Sequence, residues 1–316
     1  MSPAQSPLYF KFWLIMKEGN EMKNQNKMLK IKNALPGYLF LLPAMLFFLA
    51  FVLYPIINAV NISLYKYDGV RKTFLGLSNY VNLFQDPIFN KSLLNTVLMV
   101  IVNVPLTLGF ALFISLIVYN KSEFIRSFAR AAFYLPAVSS VVTIGIVWKW
   151  IFHPMYGILN YLTSIFGVDP INWLGDNRFA LWALVFVLFT LSVGQPIILY
   201  IASLGNIPVS YMEAADIDGA SKWVKIIKIV WPMIMPTSLY IIIITTINSF
   251  QTFAIVQLLT SGGPYYRTTT IVYQLYKAAF TNNEFGLASA MGMILAVIVV
   301  TISIIQYKYL SSDIEY

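Results

Sequence analysis

Long apolar stretches without a charged residue recur along the whole chain. Seven of them contain 18 or more residues free of Asp, Glu, Lys and Arg: 33–65, 92–120, 131–148, 150–168, 179–212, 229–266 and 285–307. A bilayer core requires roughly 20 apolar residues of helix, so each is a candidate span. The stretch 150–168 is the least hydrophobic, and we expect a surface loop with an interfacial helix there. The pattern predicts an all-α membrane protein with six transmembrane helices, centred near Phe48, Leu106, Val141, Phe189, Ile242 and Leu295.

The composition agrees with a lipid environment. Hydrophobic residues make up 59% of the 316 residues, charged residues make up 11%, and the mean hydropathy is +0.72. In a soluble domain about a quarter of the residues are charged, and so few charges could not cover a soluble protein of this length. The chain has no cysteine and one histidine, His153. This excludes a disulfide framework and cysteine-based or multi-histidine metal centres.

The distribution of the basic residues predicts the orientation in the membrane. Thirteen Lys and Arg residues lie in the 1–36 segment, the loops 119–130 and 204–228, and the C-terminus, whereas seven lie in the three opposite loops. Because basic residues concentrate on the cytoplasmic side, both termini are predicted to be cytoplasmic. We therefore divide the chain into a basic cytoplasmic tail, 1–36, and a six-span transmembrane domain, 37–316.

The predicted spans lack the groups on which many membrane proteins depend. Ion-coupled carriers usually hold charged residues inside the bilayer, but here only Lys149, at the end of a span, is charged. No paired carboxylates, nucleophile elbow or metal-ligand cluster accompanies a span, and no phosphate-binding G-x-x-x-x-G-K-S/T loop occurs. The sequence thus predicts no catalytic residue, no metal site and no bound cofactor, and the driving force must come from a partner.

One predicted cytoplasmic loop, at about 204–228, carries a specific motif. It contains Glu213-Ala214-Ala215, then Gly219 four residues later, and an Ile-x-x-Pro segment that starts ten residues beyond the glycine. Two short helical pieces, about 211–217 and 220–227, are expected to meet at Gly219, which can adopt a positive φ. Taken alone, Glu-Ala-Ala would fit any solvated acidic loop, but the full spacing is more specific.

This motif is similar to the signature of the membrane subunits of binding-protein-dependent ABC importers. Trp231 stands where that family usually has Leu. The resemblance covers about Leu35 to Tyr309 and includes fragments typical of the carbohydrate-uptake branch, among them Gly76-Leu77-Ser78-Asn79-Tyr80, Tyr134-Leu135-Pro136 and Thr260-Ser261-Gly262-Gly263-Pro264. It implies the type I importer permease fold, in the cell membrane of a bacterial-type cell. The residues that it assigns to the ATPase-coupling element are Glu213, Ala214, Ala215, Asp218, Gly219 and Ala220.

The resemblance also implies an assembly and a solute. The chain would be a non-enzymatic permease subunit that pairs with a paralogous second permease. Two ATP-binding subunits would hold ATP and Mg, and an extracytoplasmic solute-binding protein would deliver a sugar, an oligosaccharide or a sugar derivative. No nucleic acid is implied. The alternatives are a secondary carrier or channel for a small polar solute and, third, a membrane-bound enzyme.

Polar residues in two spans are candidates for the solute path. The predicted fifth span offers Thr245, Asn248 and Gln251 at helical spacing, and the fourth adds Ser192 and Gln195. Amides and hydroxyls can replace the hydrogen bonds that a sugar makes with water. The alternative is that these residues only connect helices, which is the common role of polar side chains in membranes.

Overall fold

The computed structural model describes residues 37–311. The predicted basic tail, 1–36, lies outside this range, so its assignment stays a prediction. The described residues fall into two units that divide between Ala59 and Val60.

The first half of the described chain contains two long helices, a β-hairpin and several shorter helices. In order they are α1 (Gly37–Ser63), β1 (Tyr65–Tyr67), β2 (Lys72–Phe74), α2 (Ser78–Gln85), α3 (Pro87–Tyr119), α4 (Glu123–Val138), α5 (Val141–Ile151) and α6 (Ile158–Ser164).

The second half is helical throughout. In order its elements are α7 (Ala180–Ser192), α8 (Gly194–Gly205), α9 (Val209–Ile217), α10 (Lys222–Phe250), α11 (Ala254–Leu259), α12 (Ile271–Tyr276) and α13 (Phe285–Ser311). Within α10, the residues Ile226–Val230 form a π-helical stretch.

The described helices allow the six predicted spans. The helices α1, α3, α10 and α13 are each long and apolar enough to cross a bilayer, and the pairs α4–α5 and α7–α8 pass the same test as bent pairs. Counting each pair as one span gives six among the described residues. The stretch 150–168, which we excluded as a span, contains only the seven-residue helix α6.

The third span differs from the prediction of one helix centred near Val141. The axes of α4 and α5 meet at 99°, so the chain turns sharply in the middle of the apolar stretch. Ser139 has an extended backbone, and Ser140 caps α5 by accepting a hydrogen bond from Val142 N–H at 3.3 Å. A serine that caps a new helix provides the local hydrogen bond that permits such a break. A count of apolar residues does not detect it.

The fourth span bends less, by 41° between α7 and α8. Pro196 has no N–H to donate to the carbonyl of Ser192, and the bend lies at this turn. The backbone of α4 comes very close to Gly194. A Cβ added at this position would lie 2.8 Å from Tyr134 Cα. The absence of a side chain thus allows the third and fourth spans to touch through their backbones.

The core of the second unit is built around α3, which contacts α7, α8 and α10. Its largest fully buried side chains include Met99, Leu184, Ile197, Tyr200, Ile234 and Phe250. Burial of such side chains is worth about 1.5–3 kcal/mol each in water. In lipid, close packing contributes the larger share.

A short β-hairpin accompanies this all-α core. β1 and β2 are antiparallel, and Tyr65 pairs with Phe74. The buried Asn79 of α2 donates to the carbonyls of Ser63 at 2.7 Å and of Tyr65 at 2.9 Å. This amide therefore fixes α2 against the chain that leaves α1.

Candidate solute path and coupling loop

A cavity of about 220 Å³ lies beside the bend of the fourth span. It is bounded by α7, α8 and α10, with Ala137 of α4 at its edge. Four of the five residues predicted for the solute path contribute to its wall: Ser192, Gln195, Thr245 and Asn248. The two amides, Gln195 and Asn248, are exposed, and the hydroxyl residue Thr245 is buried. The fold thus brings together, on one small cavity, polar groups from two spans.

Gln251, the fifth predicted residue, occupies a different place. α10 ends at Phe250, and Gln251 follows it as the C-cap with φ −90° and ψ 13°. Its side chain is exposed, and it does not contribute to the cavity wall. The i, i+3 spacing from Asn248 therefore does not place the two amides on one helical face, because the helix has already ended.

A buried amide that the sequence analysis missed connects three spans. Asn103 of α3 donates to Ser249 Oγ at 2.9 Å and to Ser192 Oγ at 3.4 Å, and its side chain is 0% exposed. Ser192 Oγ in turn donates to the Leu188 carbonyl at 2.7 Å. Ser192 therefore connects helices and also borders the cavity. The signal in the sequence was Asn103 itself, an amide within the apolar stretch 92–120 that is expensive to bury without partners.

The predicted coupling loop, about 204–228, is confined by the ends of α8 and α10 to residues 206–221, and it contains the predicted positive φ. Gly219 has φ +69° and follows α9 directly. Its N–H bonds to the Asp216 carbonyl at 3.1 Å, and the Ala220 N–H bonds to the Ala215 carbonyl at 2.9 Å. This pair of bonds is the Schellman arrangement, in which a glycine in the left-handed region ends a helix. The expectation of a positive φ at Gly219 is thus confirmed.

The second predicted helical piece, 220–227, is not a separate element. Ser221 accepts a hydrogen bond from Val224 N–H at 3.4 Å, and from Lys222 the helix runs on to Phe250 as α10. The N–H of Trp231 reaches the Ile226 carbonyl, which is the π-helical pattern. The next residue, Pro232, has no N–H, and the wider turn before it keeps the helix continuous. The coupling loop is therefore joined directly to a span.

The coupling loop exposes most of its surface. Glu213, Ala214 and Asp218 are exposed, whereas Ala215 is 7% exposed and faces inward. A shallow cleft of about 390 Å³ separates α9 from the base of α10, and Ala214, Ala215 and Asp218 line it together with Lys228 and Pro232. Across the Gly219 turn, Lys225 Nζ forms an ion pair with Asp216 Oδ1.

Large apolar side chains are exposed on the same loop and at the start of α10. Ile217 is 87% exposed and Trp223 is 74% exposed. Such residues next to charged ones, at the end of a span, are typical of a surface that contacts another protein. The functional role of the six predicted coupling residues stays a prediction.

Comparison with known proteins identifies the family of the chain. A family model described as "Binding-protein-dependent transport system inner membrane component" matches residues 39–316. The chain belongs to this family. This permease is accordingly a multi-pass protein of the cell membrane, as the sequence predicts. Among the residues that the structure describes, no three His, Cys, Asp or Glu side chains are grouped as metal ligands.

Several curated relatives of this permease cover nearly its whole length. The chain is 35% identical over 301 residues to the probable ABC transporter permease protein YurN of Bacillus subtilis (strain 168), which covers 93% of this chain and 100% of YurN. It is 33% identical to the lactose transport system permease protein LacF of Rhizobium radiobacter, covering 86% of this chain and 92% of LacF. It is 32% identical to the arabinooligosaccharides transport system permease protein AraP of Bacillus subtilis (strain 168), covering 88% of each.

The fold of this permease is also that of a solved importer. A chain in the crystal structure of a bacterial ABC transporter involved in the import of the acidic polysaccharide alginate matches with a TM-score of 0.77 at 23% identity. The match covers 91% of the present chain and 99% of that chain. At this identity the likeness is one of fold, and it confirms the type I importer permease architecture.

Proposed function

We propose that this permease is one half of the membrane channel of an ATP-driven importer for a sugar, an oligosaccharide or a sugar derivative. The observation that carries the proposal is the cavity at the bend of the fourth span, where Ser192, Gln195, Thr245 and Asn248 face one space. Amide and hydroxyl groups suit a solute that is rich in hydroxyls. The names of LacF and AraP refer to carbohydrate transport, which supports the same solute class.

The size of the cavity supports a two-subunit path. Its volume of about 220 Å³ is smaller than the roughly 300–1,000 Å³ of typical small-molecule sites. A paralogous second permease that faces α7, α8 and α10 would complete the space. In this arrangement the present chain supplies one wall and its amides orient the solute.

Energy would come from two separate ATP-binding subunits that carry ATP and Mg. The coupling loop supports this part of the proposal, since its Schellman turn at Gly219 holds α9 in a defined position beside the base of α10. Both termini and this loop would be cytoplasmic, as the basic residues indicate. On the opposite side, an extracytoplasmic solute-binding protein would deliver the sugar. A solved alginate transporter of the same fold is in complex with an alginate pentasaccharide-bound periplasmic protein.

The decisive experiment replaces one amide in the cavity and one outside it. Asn248→Ala should lower uptake about two- to tenfold, because a neutral hydrogen bond contributes roughly 0.5–1.5 kcal/mol. Gln251→Ala is the matched control, with uptake near wild type. The sugar is first selected by thermal-shift screening of the cognate binding protein, and its uptake is then measured in proteoliposomes that contain the whole importer.

Assembly of the complex and its basal ATP hydrolysis should be the same in both variants. If Asn248→Ala and Gln195→Ala transport at the wild-type rate, the cavity is not the solute path. In that case these amides would only connect helices.

A further inference from the structure

A second cleft, of about 410 Å³, lies between the C-terminal end of α5, the segment 169–176 and the loop 260–270. It is separate from the cavity between α7, α8 and α10. Its wall includes four polar side chains, Lys149, His153, Asn172 and Thr260, beside the apolar Leu174. In the proposed orientation the cleft opens on the extracytoplasmic side.

His153 contributes to the wall of this cleft. Its Nδ1 accepts the backbone N–H of Met155 at 3.2 Å, so in the neutral ring the hydrogen lies on Nε2. The ring is stacked on Tyr156, with centroids 3.4 Å apart. The imidazole is therefore fixed in orientation, and its second nitrogen is a donor.

Asn172 is fixed in a similar way. Its Oδ1 accepts the Gly175 N–H at 3.0 Å, which leaves the NH₂ group as the free end of the amide. A Cβ at Gly175 would overlap the Asn172 amide, so the close approach depends on glycine at that position. Asn172, which lines the cleft, thus has donor hydrogens that this bond does not use.

Lys149 adds a positive charge to the cleft, and no acidic residue of the described chain forms an ion pair with it. Its side chain is exposed and forms no ion pair with any residue between 37 and 311. The nearby Asp176 does not oppose this charge, since Arg178 Nη2 lies 2.8 Å from its Oδ2. The hydrogen bonds from the side chain and backbone of Arg178 lower the pKa of Asp176 to about 2. No Asp or Glu of the described chain contributes to the wall of the cleft.

We infer that this cleft is an outer subsite for an oxyanion, a carboxylate or phosphate group carried by a sugar. An ammonium and two oriented N–H donors, without an acceptor of opposite charge, match the geometry and charge of such a group. That the oxyanion belongs to a transported sugar rests on the proposed function. The affinity of the cleft for an oxyanion does not.

A simpler role for Lys149 is also testable. It lies in the last turn of α5, where a cation interacts favourably with the helix dipole and can extend toward water. That role requires no anion selectivity at Leu174, on the other side of the cleft. Selectivity measured at Leu174 therefore distinguishes the two roles.

The experiment uses the natural absence of cysteine. The whole importer carrying Leu174→Cys is placed in right-side-out vesicles and treated with methanethiosulfonates that bear either a sulfonate or a trimethylammonium group. Tyr161→Cys, at an exposed position outside the cleft, is the control. We expect the anion-to-cation ratio of modification rates to be about tenfold higher at Leu174→Cys than at Tyr161→Cys, since a nearby cation favours one reagent and repels the other.

Two further arms identify the groups involved. Lys149→Gln should lower the ratio at Leu174→Cys at least threefold and leave that at Tyr161→Cys unchanged. Galacturonate or glucose 1-phosphate should slow the reaction of Leu174→Cys with neutral N-ethylmaleimide at least twofold, whereas galactose should not. Equal ratios at the two cysteines, no effect of Lys149→Gln, or equal protection by galactose would each overturn the inference.

The same vesicles separate this inference from the proposed orientation. If Tyr161→Cys fails to react from the outside, the orientation is wrong, and the ratios are then measured in inside-out vesicles. A high ratio there still supports the oxyanion site, and a ratio equal to the control still refutes it.

Discussion

The loop 260–270 and the coupling loop, 206–221, adjoin opposite ends of α10 but are held in place in different ways. In the loop 260–270, Thr268, Thr269 and Thr270 are all 0% exposed. Asn95 of α3 donates to the carbonyls of Tyr266 at 2.9 Å and Thr269 at 3.0 Å. Side chains from distant parts of the sequence therefore fix this loop from inside.

The coupling loop, in contrast, forms its hydrogen bonds with residues close to it in the sequence. They include those of the Schellman turn and the cap of α10, and the ion pair Lys225–Asp216 joins residues nine apart. Ile207 and Met212 pack on the core, whereas Tyr211 and Ile217 are exposed.

The two loops also differ in which of their residues adopt positive φ. Non-glycine residues adopt positive φ in the loop 260–270: Ser261 at 49°, Tyr265 at 44° and Tyr266 at 60°. Such residues cost about 1–3 kcal/mol each and persist only where the surroundings determine them. In the coupling loop the one positive φ falls on Gly219, which bears it without strain. One loop is ordered by the permease itself, and the other has a stable turn with an outer surface suited to a partner.

The largest effect is expected from Gly219→Val. At φ +69° a β-branched side chain costs about 1–3 kcal/mol, and it would project into open space where a partner could dock. We expect membrane insertion to persist and uptake to fall at least tenfold, with the ATPase released or its hydrolysis uncoupled from transport. ATPase retention, solute-stimulated hydrolysis and uptake are measured on one preparation.

Gly167→Val is the matched control for this prediction. Gly167 has φ +75°, and a Cβ added there would also meet open space, but the residue lies far from the coupling loop in sequence, after α6. The two variants introduce the same kind of backbone strain, and they differ only in whether the substituted residue lies in the coupling loop. If both lose uptake equally, backbone strain alone explains the defect, and Gly219 has no special role in coupling.

Asn95→Ala should have the largest effect on stability. It removes both donors to the carbonyls of Tyr266, which is part-buried, and Thr269, which is buried, and each unsatisfied buried group costs about 1–3 kcal/mol. We expect a loss of about 2–4 kcal/mol, or roughly 4–12 °C in the melting temperature of the detergent-solubilised protein.

Asn90, five residues earlier on α3, provides the comparison. It donates to the Phe84 carbonyl at 2.8 Å in an exposed setting, where water can replace the bond. Asn90→Ala should therefore change the melting temperature by no more than about 2 °C. Equal shifts for both variants would contradict the view that the loop 260–270 is held from inside.

The smallest effect is expected from the ion pair of the coupling loop. Asp216 is 67% exposed and Lys225 is 13% exposed, so their interaction is screened by solvent and worth about 0–1 kcal/mol. Asp216→Asn and Lys225→Gln should each change uptake by less than about twofold. A double-mutant cycle at low and high salt measures the coupling energy, which should decline as salt rises. A coupling that is large and independent of salt would show that this loop, too, is held from inside.

The features that the sequence predicted correctly have local causes. Runs of apolar residues long enough for a bilayer gave the six spans, and a glycine directly after a short helical motif gave the left-handed turn at Gly219. In both cases the information lies within one segment. The grouping of Ser192, Gln195, Thr245 and Asn248 on one cavity wall, in contrast, depends on two spans that the fold brings together.

The features that the sequence did not predict depend on distant residues or on helix ends. The 99° turn at Ser139 and Ser140 leaves the hydropathy unchanged, because serine is only mildly polar. The place of Gln251 follows from the end of α10 at Phe250, where the chain turns toward α11. The partners of Asn103, and the three donors of the outer cleft, come from segments that only the fold brings together.

The length of α10 has a mechanical consequence. It runs without a break from Lys222, beside the coupling loop, to Asn248 in the cavity wall and on to Phe250. At 1.5 Å per residue, Lys222 and Asn248 are about 39 Å apart along the axis. A tilt of about 5° around its base would move Asn248 sideways by about 3 Å, roughly one hydrogen-bond length. In the proposed importer, a small rotation at the Lys222 end of α10 would thus suffice to make or break a hydrogen bond between Asn248 and a solute.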